Sequence, residues 1–406
     1  MAIASFVLFA LVKVLLLHQH FNTPYQGGAL RSYYLAKALV DRGVQVVVIT
    51  GYNGKDYEKK QIDGIEVHYL PIAYNNGFGF YKRSYSFIRF IILSIRYGSI
   101  HKDASICYAI SVPLTIGIAA LELKRRYKIP FIFEVGDLWP DAPIQLGFIK
   151  NPLLKTLLYQ LETKIYQRSK SVVALSTAIK NSIEKKVPGK RIDIIPNMSD
   201  TDFFKPEEKR FDLVKKFDVE GKFVVSYIGA IGFANGLDFF LECARACQKA
   251  ALPVQFVMCG DGAMLKRLKE ISERNELKNF SIIPFQNRDG IAEIMNITDA
   301  SFVCYRPEPI LETGSPNKYF DALAAGKMII ANFAGWIKEE IEKEGCGFYV
   351  PSSSPETIIT KLARCIENPS VLINYQKASR SLAERKYSRK LLGDAFYNLI
   401  NEQGSI

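Results

Sequence analysis

The feature that most constrains this chain is a series of apolar runs of strand length, each followed by an amphipathic stretch of helical length. This alternation predicts parallel β-strands connected by helices and packed as layers of an α/β fold. In the first half, apolar residues at helical spacing predict helices over residues 30–41, 114–127 and 153–169. The strands predicted around them are Lys13–Leu17, 44–50, 66–70, 106–109, Phe131–Val135, 171–175 and 192–195.

The same pattern starts again in the second half. A strand at Phe223–Ile228 leads into a glycine-rich loop over residues 229–236, and a helix follows from residue 237. The further strands predicted are Val254–Cys259, 281–284, Ala300–Val303, 328–332 and 347–350. The fold class is therefore predicted as α/β, with two Rossmann-like, doubly wound parallel-sheet domains that face each other across a cleft and are joined near residues 200–212.

The composition is that of a folded protein with an anionic partner. Hydrophobic residues make up 48% of the 406 residues and charged residues 23%, so disorder is not expected. The formal net charge of +12 suits nucleic acid, acidic lipid or a diphosphate substrate, and it does not choose among them.

The cysteines and histidines argue against a metal centre. The 7 cysteines are scattered, odd in number and without a CxxC pair, so neither a disulfide framework nor a zinc site is predicted. The 4 histidines all lie in the first quarter of the chain, and a His-rich centre is not expected. We therefore predict that the site contains no metal.

The amino-terminal stretch 1–17 is apolar apart from Ser5 and Lys13. It lacks a preceding basic segment and a small-residue cleavage site, so a signal peptide is not expected. With Lys13 inside it, the stretch is short for a membrane span. We interpret Lys13–Leu17 as a buried first strand and residues 1–12 as an extension without an assigned role.

Glycine-rich loops follow the first strand of each predicted domain, where open α/β sheets bind their ligands. Gly27 and Gly28 permit close backbone approach, and the helix after them supplies unpaired N–H groups suited to phosphate. Gly229 and Gly232 repeat this arrangement in the second domain. The alternative for each loop is an ordinary turn, which is what such a glycine pair between a strand and a helix usually forms. Asp261, which follows another strand, either caps the next helix or contacts a ligand.

The most informative segment is 312–326, Glu-Thr-Gly-Ser-Pro-Asn-Lys-Tyr-Phe-Asp-Ala-Leu-Ala-Ala-Gly. Ser315 as N-cap and Pro316 as first helical residue predict a helix start. The amides from Thr313 to Ser315 are then expected to face the space before the helix, at the positive end of its dipole. Lys318 adds a full positive charge in the first turn, which is unfavourable unless an anion is bound. The alternative is an ordinary capped helix with solvated charges.

This segment resembles the donor-site helix of the family 4 retaining glycosyltransferases. Residues 314–318 with 324–327 resemble, more narrowly, the branch that contains bacterial L-fucosamine transferases and other O-antigen or capsule enzymes. Four further segments agree and occur in the family's order, so that the match runs from about residue 13 to 400. They are 18–28, 133–140 (Phe-Glu-Val-Gly-Asp-Leu-Trp-Pro), 194–197 with Asp200 and Phe204, and 227–232 (Tyr-Ile-Gly-Ala-Ile-Gly).

The resemblance implies a GT-B fold with an acceptor-side domain over residues 1–205, a nucleotide-sugar domain over 206–384 and a C-terminal helix over 385–406 that crosses back. It implies a retaining, metal-independent transferase without a cofactor. The expected donor is a UDP-linked, N-acetylated deoxyhexosamine, and the expected acceptor is a lipid-linked saccharide of O-antigen or capsule synthesis. The protein would act at the anionic inner face of a bacterial cell membrane, without a nucleic-acid partner.

Roles for individual residues also follow from the resemblance. Asp137, Glu134 and Glu312 are expected to be catalytic, with Asp137 serving the acceptor hydroxyl and Glu134 either assisting it or being structural. Asp321 is expected to hold the ribose, and Glu312 or Thr313 to contact the donor hexose. The donor-binding residues are expected to be Gly27, Gly28, Gly229, Gly232, Asp261, Arg306, Thr313, Gly314, Ser315, Asn317, Lys318 and Asp321.

The chain departs from the family pattern at three places. The family has two acidic residues eight apart at the donor site; here Asp321 fills the second position and Thr313 the first, with Glu312 beside it. The family's basic pair after the first donor-domain strand is replaced by Ala230 and Asn235. Phosphate neutralisation is therefore assigned to Lys318, loop amides or Arg306. Gly136 stands where relatives carry His or Arg, which excludes a histidine role there.

Two other functions fit parts of the sequence. A GT-B sugar-nucleotide 2-epimerase would act on the donor without an acceptor. A basic nucleic-acid-binding protein would need aromatic residues interleaved in a basic groove, and the sequence contains no recognisable module of this kind.

The segment 81–97 predicts a helix that docks on a membrane. Lys82, Arg89 and Arg96 recur every seventh residue, beside a predicted apolar face formed by Ile88, Ile91, Ile92 and Ile95. Such a helix can lie in the interface with its cations on anionic headgroups. The alternative is a helix packed on the first domain with three solvated charges.

Overall fold

The computed structural model of the protein describes residues 12–75 and 77–404 and contains two sheets of mainly parallel strands, which confirms the predicted fold class. The strands are β1 (Lys13–Leu17), β2 (Gln45–Tyr52), β3 (Glu58–Ile62), β4 (Ile65–Pro71), β5 (Ile106–Ile110), β6 (Phe131–Val135), β7 (Val172–Ala174), β8 (Ile192–Ile194), β9 (Phe223–Ile228), β10 (Val254–Cys259), β11 (Phe280–Ile283), β12 (Ala300–Val303), β13 (Met328–Ala331) and β14 (Gly347–Tyr349).

Helices cover the faces of both sheets. They are α1 (Arg31–Val40), α2 (Phe80–Gly98), α3 (Ile116–Tyr127), α4 (Asp141–Gln145), α5 (Pro152–Arg168), α6 (Thr177–Lys186), α7 (Phe211–Lys216), α8 (Asp238–Lys249), α9 (Leu265–Arg274), α10 (Arg288–Ile297), α11 (Asn317–Ala324), α12 (Trp336–Glu344), α13 (Thr357–Glu367), α14 (Pro369–Leu382) and α15 (Arg389–Gly404). Within the described ranges, no helix combines the length and the apolar character needed to cross a bilayer.

The first sheet has the strand order β3-β4-β2-β1-β5-β6-β7-β8. Its strands are parallel except β3, which pairs antiparallel with β4. The sequence analysis did not predict β3, because its residues are polar and largely solvent-exposed, without an apolar run. The helices bury both faces of the sheet, since the strand residues alternate between two apolar clusters.

The second sheet has the order β11-β10-β9-β12-β13-β14 and is parallel throughout. The strand order reverses beside β9, so a crevice opens there beyond the carboxyl ends of the strands. All seven cysteines of the chain are buried and free, mostly within these apolar layers. Buried free cysteines of this kind behave as small apolar residues.

The end of the chain returns to the first domain. After α14, a π-helical turn at Ala383–Tyr387 redirects the backbone into α15. Phe396 of α15 is fully buried and contacts Tyr108 of β5, with ring centroids 4.7 Å apart. The helix packs on α1, within the same apolar cluster as Leu35 and Leu39. This packing joins the two halves of the chain at a second place besides the crossing near residue 200.

The apolar residues of helix α2 are partly exposed to solvent and partly packed on the protein. Ile88 and Ile92 are exposed, as predicted, whereas Ile91 and Ile95 are half-buried, and Ile95 packs on the core. The predicted four-isoleucine face is therefore wrong in part, because the helix turns one edge towards α3. Residues 1–11, most of the predicted amino-terminal extension, lie outside the described residues.

Candidate active site

A cavity lies between the two domains at the carboxyl ends of their strands. It brings together Gly27, Gly28, Asn317 and Asp321 from the predicted set of donor-binding residues. The full lining is Gly27, Gly28, Leu30, Arg31, Tyr34, Met198, Asp200, Phe204, Arg288, Ile291, Asn317 and Asp321. The loop before α1 and the start of α11 therefore face each other across this space.

The glycine loop before α1 has the conformation that its sequence predicts. Gly27 and Gly28 adopt φ angles of +73° and +79°, which other residues rarely adopt. A side chain at Gly28 would also meet the Asn22 amide at 3.2 Å. The loop thus leaves the cavity open in front of the first turn of α1.

Glu134 is removed from the cleft by an ion pair. Its carboxylate is almost fully buried and accepts hydrogen bonds from Arg31 at 3.0 and 2.9 Å, and from the Tyr108 hydroxyl. Arg31 also donates to the Ile195 carbonyl at 2.7 Å. Both oxygens of Glu134 are engaged, so of the two predicted roles the structural one fits the geometry.

The start of α11 differs from the prediction in its capping. Pro316, rather than Ser315, occupies the N-cap position, and the helix begins at Asn317. The Ser315 hydroxyl is buried and has no hydrogen-bond partner among the described residues. The capping prediction was wrong because Pro316 lies one position earlier relative to the helix than assumed.

Two of the three loop N–H groups that were predicted to face a ligand already donate hydrogen bonds within the protein. The N–H groups of Thr313 and Gly314 donate to Ile310 and Leu311 carbonyls at 3.4 and 3.3 Å, within a short 3-10 turn. The carbonyls of Thr313, Gly314 and Ser315 accept from Ser176, Trp336 and Asn197, at 2.7, 2.8 and 2.5 Å. The loop is therefore rigidly held across the domain boundary. In the first turn of α11 the Tyr319 N–H donates to the Pro316 carbonyl at 3.1 Å, so among the described residues the amides left without a helical partner there are those of Asn317 and Lys318.

Lys318 lies on the other side of this first turn, against β9. Its ammonium group donates to the Tyr227 hydroxyl at 2.9 Å and lies 4.4 and 5.2 Å from the ring centres of Tyr227 and Tyr305. The stem passes so close to Gly229 that a Cβ there would meet Lys318 Cε at 3.2 Å. Burial lowers the pKa of Lys318 to about 8. No carboxylate pairs with it within the described part of the chain.

Asp321, one turn further along α11, faces the cavity and Arg288. Burial raises the pKa of this carboxyl to about 7, while the nearby Arg288 acts to lower it. Arg288 itself forms an ion pair with Asp200 and stacks on the Phe203 ring, with the guanidinium carbon 3.7 Å from the ring centre. Asp200 thus occupies Arg288, and Asp321 keeps both oxygens available to a ligand.

Asp137 lies at the cleft just beyond the end of β6. The residue opens to solvent, while the surrounding protein desolvates its carboxylate and raises its pKa. Burial raises the pKa of the Tyr305 hydroxyl, and the negative charge of Asp137 raises it further. Asp137 of the first domain and Tyr305 of the second domain therefore lie near one another across the cleft.

The loops after β9 and β10 support each other through their backbones. Ile231 N–H donates to the Asp261 carbonyl at 2.8 Å. A Cβ at Gly260 or Gly262 would come within 1.9 or 2.4 Å of a carbonyl oxygen of this first loop. The Asp261 carboxylate accepts from the Gly262 N–H at 2.7 Å, whereas α9 begins only at Leu265. Asp261 therefore does not cap that helix, contrary to one of its two predicted roles.

Three further predicted residues, Gly232, Arg306 and Glu312, lie outside the cavity lining. The Gly232 N–H donates to the Asn235 side chain at 3.2 Å, which shapes the turn after β9. Arg306 lies over the Phe233 ring, 4.2 Å from its centre, and its Nε is buried without a hydrogen-bond partner among the described residues. Glu312 forms part of the 3-10 turn before α11, where its backbone packs against Gly335.

Sequence reasoning missed four residues at this site: Tyr227, Tyr305, Arg288 and His18. His18 follows β1 directly and Tyr305 is the second residue after β12, so their places at strand ends were a usable signal. His18 contacts the Ser32 hydroxyl at 2.8 Å, and burial, then His20 and Arg31, lower its pKa to about 3. It is therefore a neutral imidazole beside the glycine loop.

Comparison with known families agrees with this architecture. Residues 25–203 match the sequence model of Glycosyltransferase Family 4, and residues 208–388 match that of Glycosyl transferases group 1. The first region contains every strand of the first sheet except β1, and the second region contains all strands of the second sheet.

Individual relatives are distant. The chain is 20% identical to the alpha-D-kanosaminyltransferase of Streptomyces kanamyceticus over 249 residues, which is 60% of this chain and 63% of that protein. It is 21% identical to an uncharacterized glycosyltransferase of Methanocaldococcus jannaschii over 371 residues, covering 90% and 91% of the two chains. HepE of Anabaena, solved with UDP-glucose, has the same fold with a TM-score of 0.70 at 17% identity, covering 96% and 99%. The chain therefore belongs to the GT-B glycosyltransferases of family 4.

Proposed function

We propose that this protein is a retaining glycosyltransferase that moves an N-acetylated deoxyhexosamine from a UDP-linked donor to a lipid-linked saccharide in O-antigen or capsule synthesis. The donor class is supported by the fold that the chain shares with HepE, solved with UDP-glucose. An amino sugar as the transferred group is supported by the similarity to a kanosaminyltransferase. The acceptor and the pathway rest on the resemblance of residues 314–327 to the fucosamine-transferase branch.

The observation that carries the proposal is the environment of Lys318. The ammonium group is desolvated, touches only neutral groups among the described residues and lies at the positive end of α11. Desolvation and the positive end of the helix each disfavour a cation there, and the contacts with Tyr227 and Tyr305 do not supply a counter-charge, so a bound anion is favoured. The diphosphate of a nucleotide sugar would satisfy the lysine and the first-turn amides of α11 together.

The remaining groups fit the other parts of the reaction. Asp321 would accept from the ribose hydroxyls, because its carboxylate faces the cavity between the domains. Lys318 would stabilise the charge that develops on the leaving phosphate, in a site from which water is largely excluded. Asp137, with its raised pKa, would orient the acceptor hydroxyl and receive its proton. The reaction would need neither a metal nor a cofactor.

Two measurements test this proposal. Thermal unfolding in the presence of UDP-, GDP- and dTDP-sugars should show the largest stabilisation with UDP-sugars. Lys318→Ala and Asp321→Ala should each lower sugar transfer by at least about tenfold, equivalent to about 1.4 kcal/mol, with unchanged circular dichroism. Normal turnover by both variants would show that the donor does not bind here.

The acceptor side of the proposal includes docking on an anionic membrane through α2. Four apolar or aromatic residues, spaced about one helical turn from each other, form an exposed stripe along the helix. Their side chains are between 55% and 87% exposed: Tyr81, Tyr85, Ile88 and Ile92. Lys82 and Arg96 are exposed on the flanks and Arg89 is half-exposed. Aromatic and aliphatic side chains bordered by cations are typical of a helix that lies in the interface.

The 2-epimerase alternative is not favoured, because both matching family descriptions are of glycosyltransferases. An epimerase would convert the donor with no acceptor present, so an incubation with donor alone distinguishes the two activities.

A further inference from the structure

A second cluster of reactive side chains lies in the first domain, away from the cleft. Glu66 and His68 are on β4, and His101 ends the short 3-10 helix Ser99–His101 that follows α2. Glu66 is near the amino end of its strand, and His101 precedes β5. The cluster is therefore displaced towards the amino ends of the strands, whereas the donor cavity lies beyond their carboxyl ends.

Three potential ligand atoms converge in this cluster. His68 Nε2 lies 2.7 Å from Glu66 Oε1 and 3.2 Å from His101 Nε2. His101 Nε2 and Glu66 Oε1 are 3.7 Å apart. Ligands bound tetrahedrally at about 2.0–2.1 Å from one zinc ion are about 3.3 Å apart, so the three atoms already outline one face of such a site. Both imidazoles are buried, and the carboxylate is mostly buried.

Two contacts of the cluster compete for one proton. His68 Nδ1 contacts the Tyr57 hydroxyl at 2.8 Å, and His68 Nε2 faces both the Glu66 carboxylate and His101 Nε2. If the Nε2 proton points to Glu66, the nitrogen of His101 has no partner in this contact. If His101 donates to His68 Nε2 instead, the Glu66 oxygen faces a lone pair at 2.7 Å. A single imidazole proton cannot serve both contacts.

A cation resolves this conflict. Both Nε2 lone pairs and Glu66 Oε1 would then point at the metal, and His68 Nδ1–H would donate to the Tyr57 hydroxyl, since a metal-bound histidine donates its second ring N–H to an outer acceptor. The charges of the neighbouring lysines are already matched. Lys59 pairs with the other oxygen of Glu66 at 3.0 Å, and Lys13 pairs with Asp103 at 2.9 Å.

We propose that Glu66, His68 and His101 form a binding site for one divalent cation of the zinc class. Two imidazoles and one carboxylate are the ligand set that zinc prefers, and a water molecule would complete the tetrahedron. Through these ligands the bound ion connects β4 to the turn between α2 and β5. It stabilises the edge of the sheet that carries α2 and takes no part in sugar transfer.

Zinc binding to the full-length protein, purified without a polyhistidine tag and freed of metal with a chelator, tests this site. Isothermal titration with zinc chloride should give one equivalent per chain. His101→Ala and His68→Ala should each lower the affinity by more than about tenfold, and Tyr57→Phe, which keeps all three ligands, by about tenfold. His20→Ala, a histidine outside the cluster, should bind zinc like the wild type.

The spectroscopy of the zinc complex distinguishes this cluster from the cysteines. X-ray absorption should show nitrogen and oxygen neighbours at about 2.0–2.1 Å and no sulfur near about 2.3 Å. Sulfur ligation, the absence of binding at about 10 µM zinc, or equal binding by the wild type and the folded Tyr57→Phe and His101→Ala variants would each overturn the proposal.

Discussion

The substitution Lys318→Met tests whether the donor site is held in a strained state before the donor binds. Burial lowers the pKa of Lys318 from 10.5 to about 8. This displacement corresponds to about 3 kcal/mol by which the folded protein disfavours the charged side chain. Methionine fills a similar volume without the charge, and it loses cation–π contacts with Tyr227 and Tyr305 of about 1 kcal/mol. The variant should therefore be more stable by about 2 kcal/mol.

The difference in stability between Lys318→Met and the wild type depends on pH. The folded pKa of Lys318 lies below the unfolded one, so the unfolded state binds the proton more tightly. The penalty of the wild type is present in full below pH 8 and disappears as the pH rises from about 8 to 10.5, where both states are neutral. The wild type and Lys318→Met should therefore converge in stability in alkaline solution.

Differential scanning calorimetry without nucleotide measures this difference. At pH 7 the melting temperature of Lys318→Met should exceed that of the wild type by about 2 °C, because a chain of 406 residues unfolds with an entropy of about 0.85 kcal/mol/K. Lys338→Met is the matched control, because Lys338 also lies over a tyrosine ring, 4.7 Å from the centre of Tyr349, and its side chain is only partly buried. A Lys318→Met variant less stable than the wild type at pH 7 would refute the reasoning.

Three further predictions concern pH, metal and membrane. Affinity for UDP should weaken as the pH falls through about 7, where Asp321 becomes protonated, and as it rises through about 8; titrations of Asp321→Asn should lack the acid limb only. Initial rates of transfer should be unchanged in excess EDTA, and a loss that magnesium or manganese restores would contradict the role given to Lys318. Exchange of Lys82, Arg89 and Arg96 for Glu should abolish flotation with anionic liposomes, and unchanged flotation of this triple variant would show that α2 is not the anchor.

Much of the fold could be predicted because its strands are apolar runs of the right length. Lys13–Leu17, Phe223–Ile228 and Val254–Cys259 have the bounds that the sequence predicts. Strand β3 was not predicted, because it is an exposed, polar strand at the edge of the sheet and contains no apolar run. A signal for its turn was nevertheless present, since Asp63 and Gly64 both adopt positive φ angles, as an Asp-Gly hairpin turn requires.

The site was predictable in its residue types and less so in its contacts. Glycines and a lysine next to strand ends point to a phosphate site whatever their partners are. The ion pair that buries Glu134 joins residues 103 positions apart, and the Tyr227–Lys318 contact joins residues 91 apart. No local pattern encodes such pairs. The amides of Thr313 and Gly314 were misjudged for a similar reason, because a 3-10 turn satisfies them before the helix begins.

The central claim is that Lys318 and the first turn of α11 bind the diphosphate of the donor. Isothermal titration of UDP and of uridine, into the wild type and into Lys318→Met at pH 7, measures the contribution of the diphosphate alone. In the wild type UDP should bind at least about tenfold more tightly than uridine, and in Lys318→Met this ratio should be clearly smaller, because only the first-turn amides of α11 then bind the diphosphate. An unchanged ratio in the variant would contradict the account.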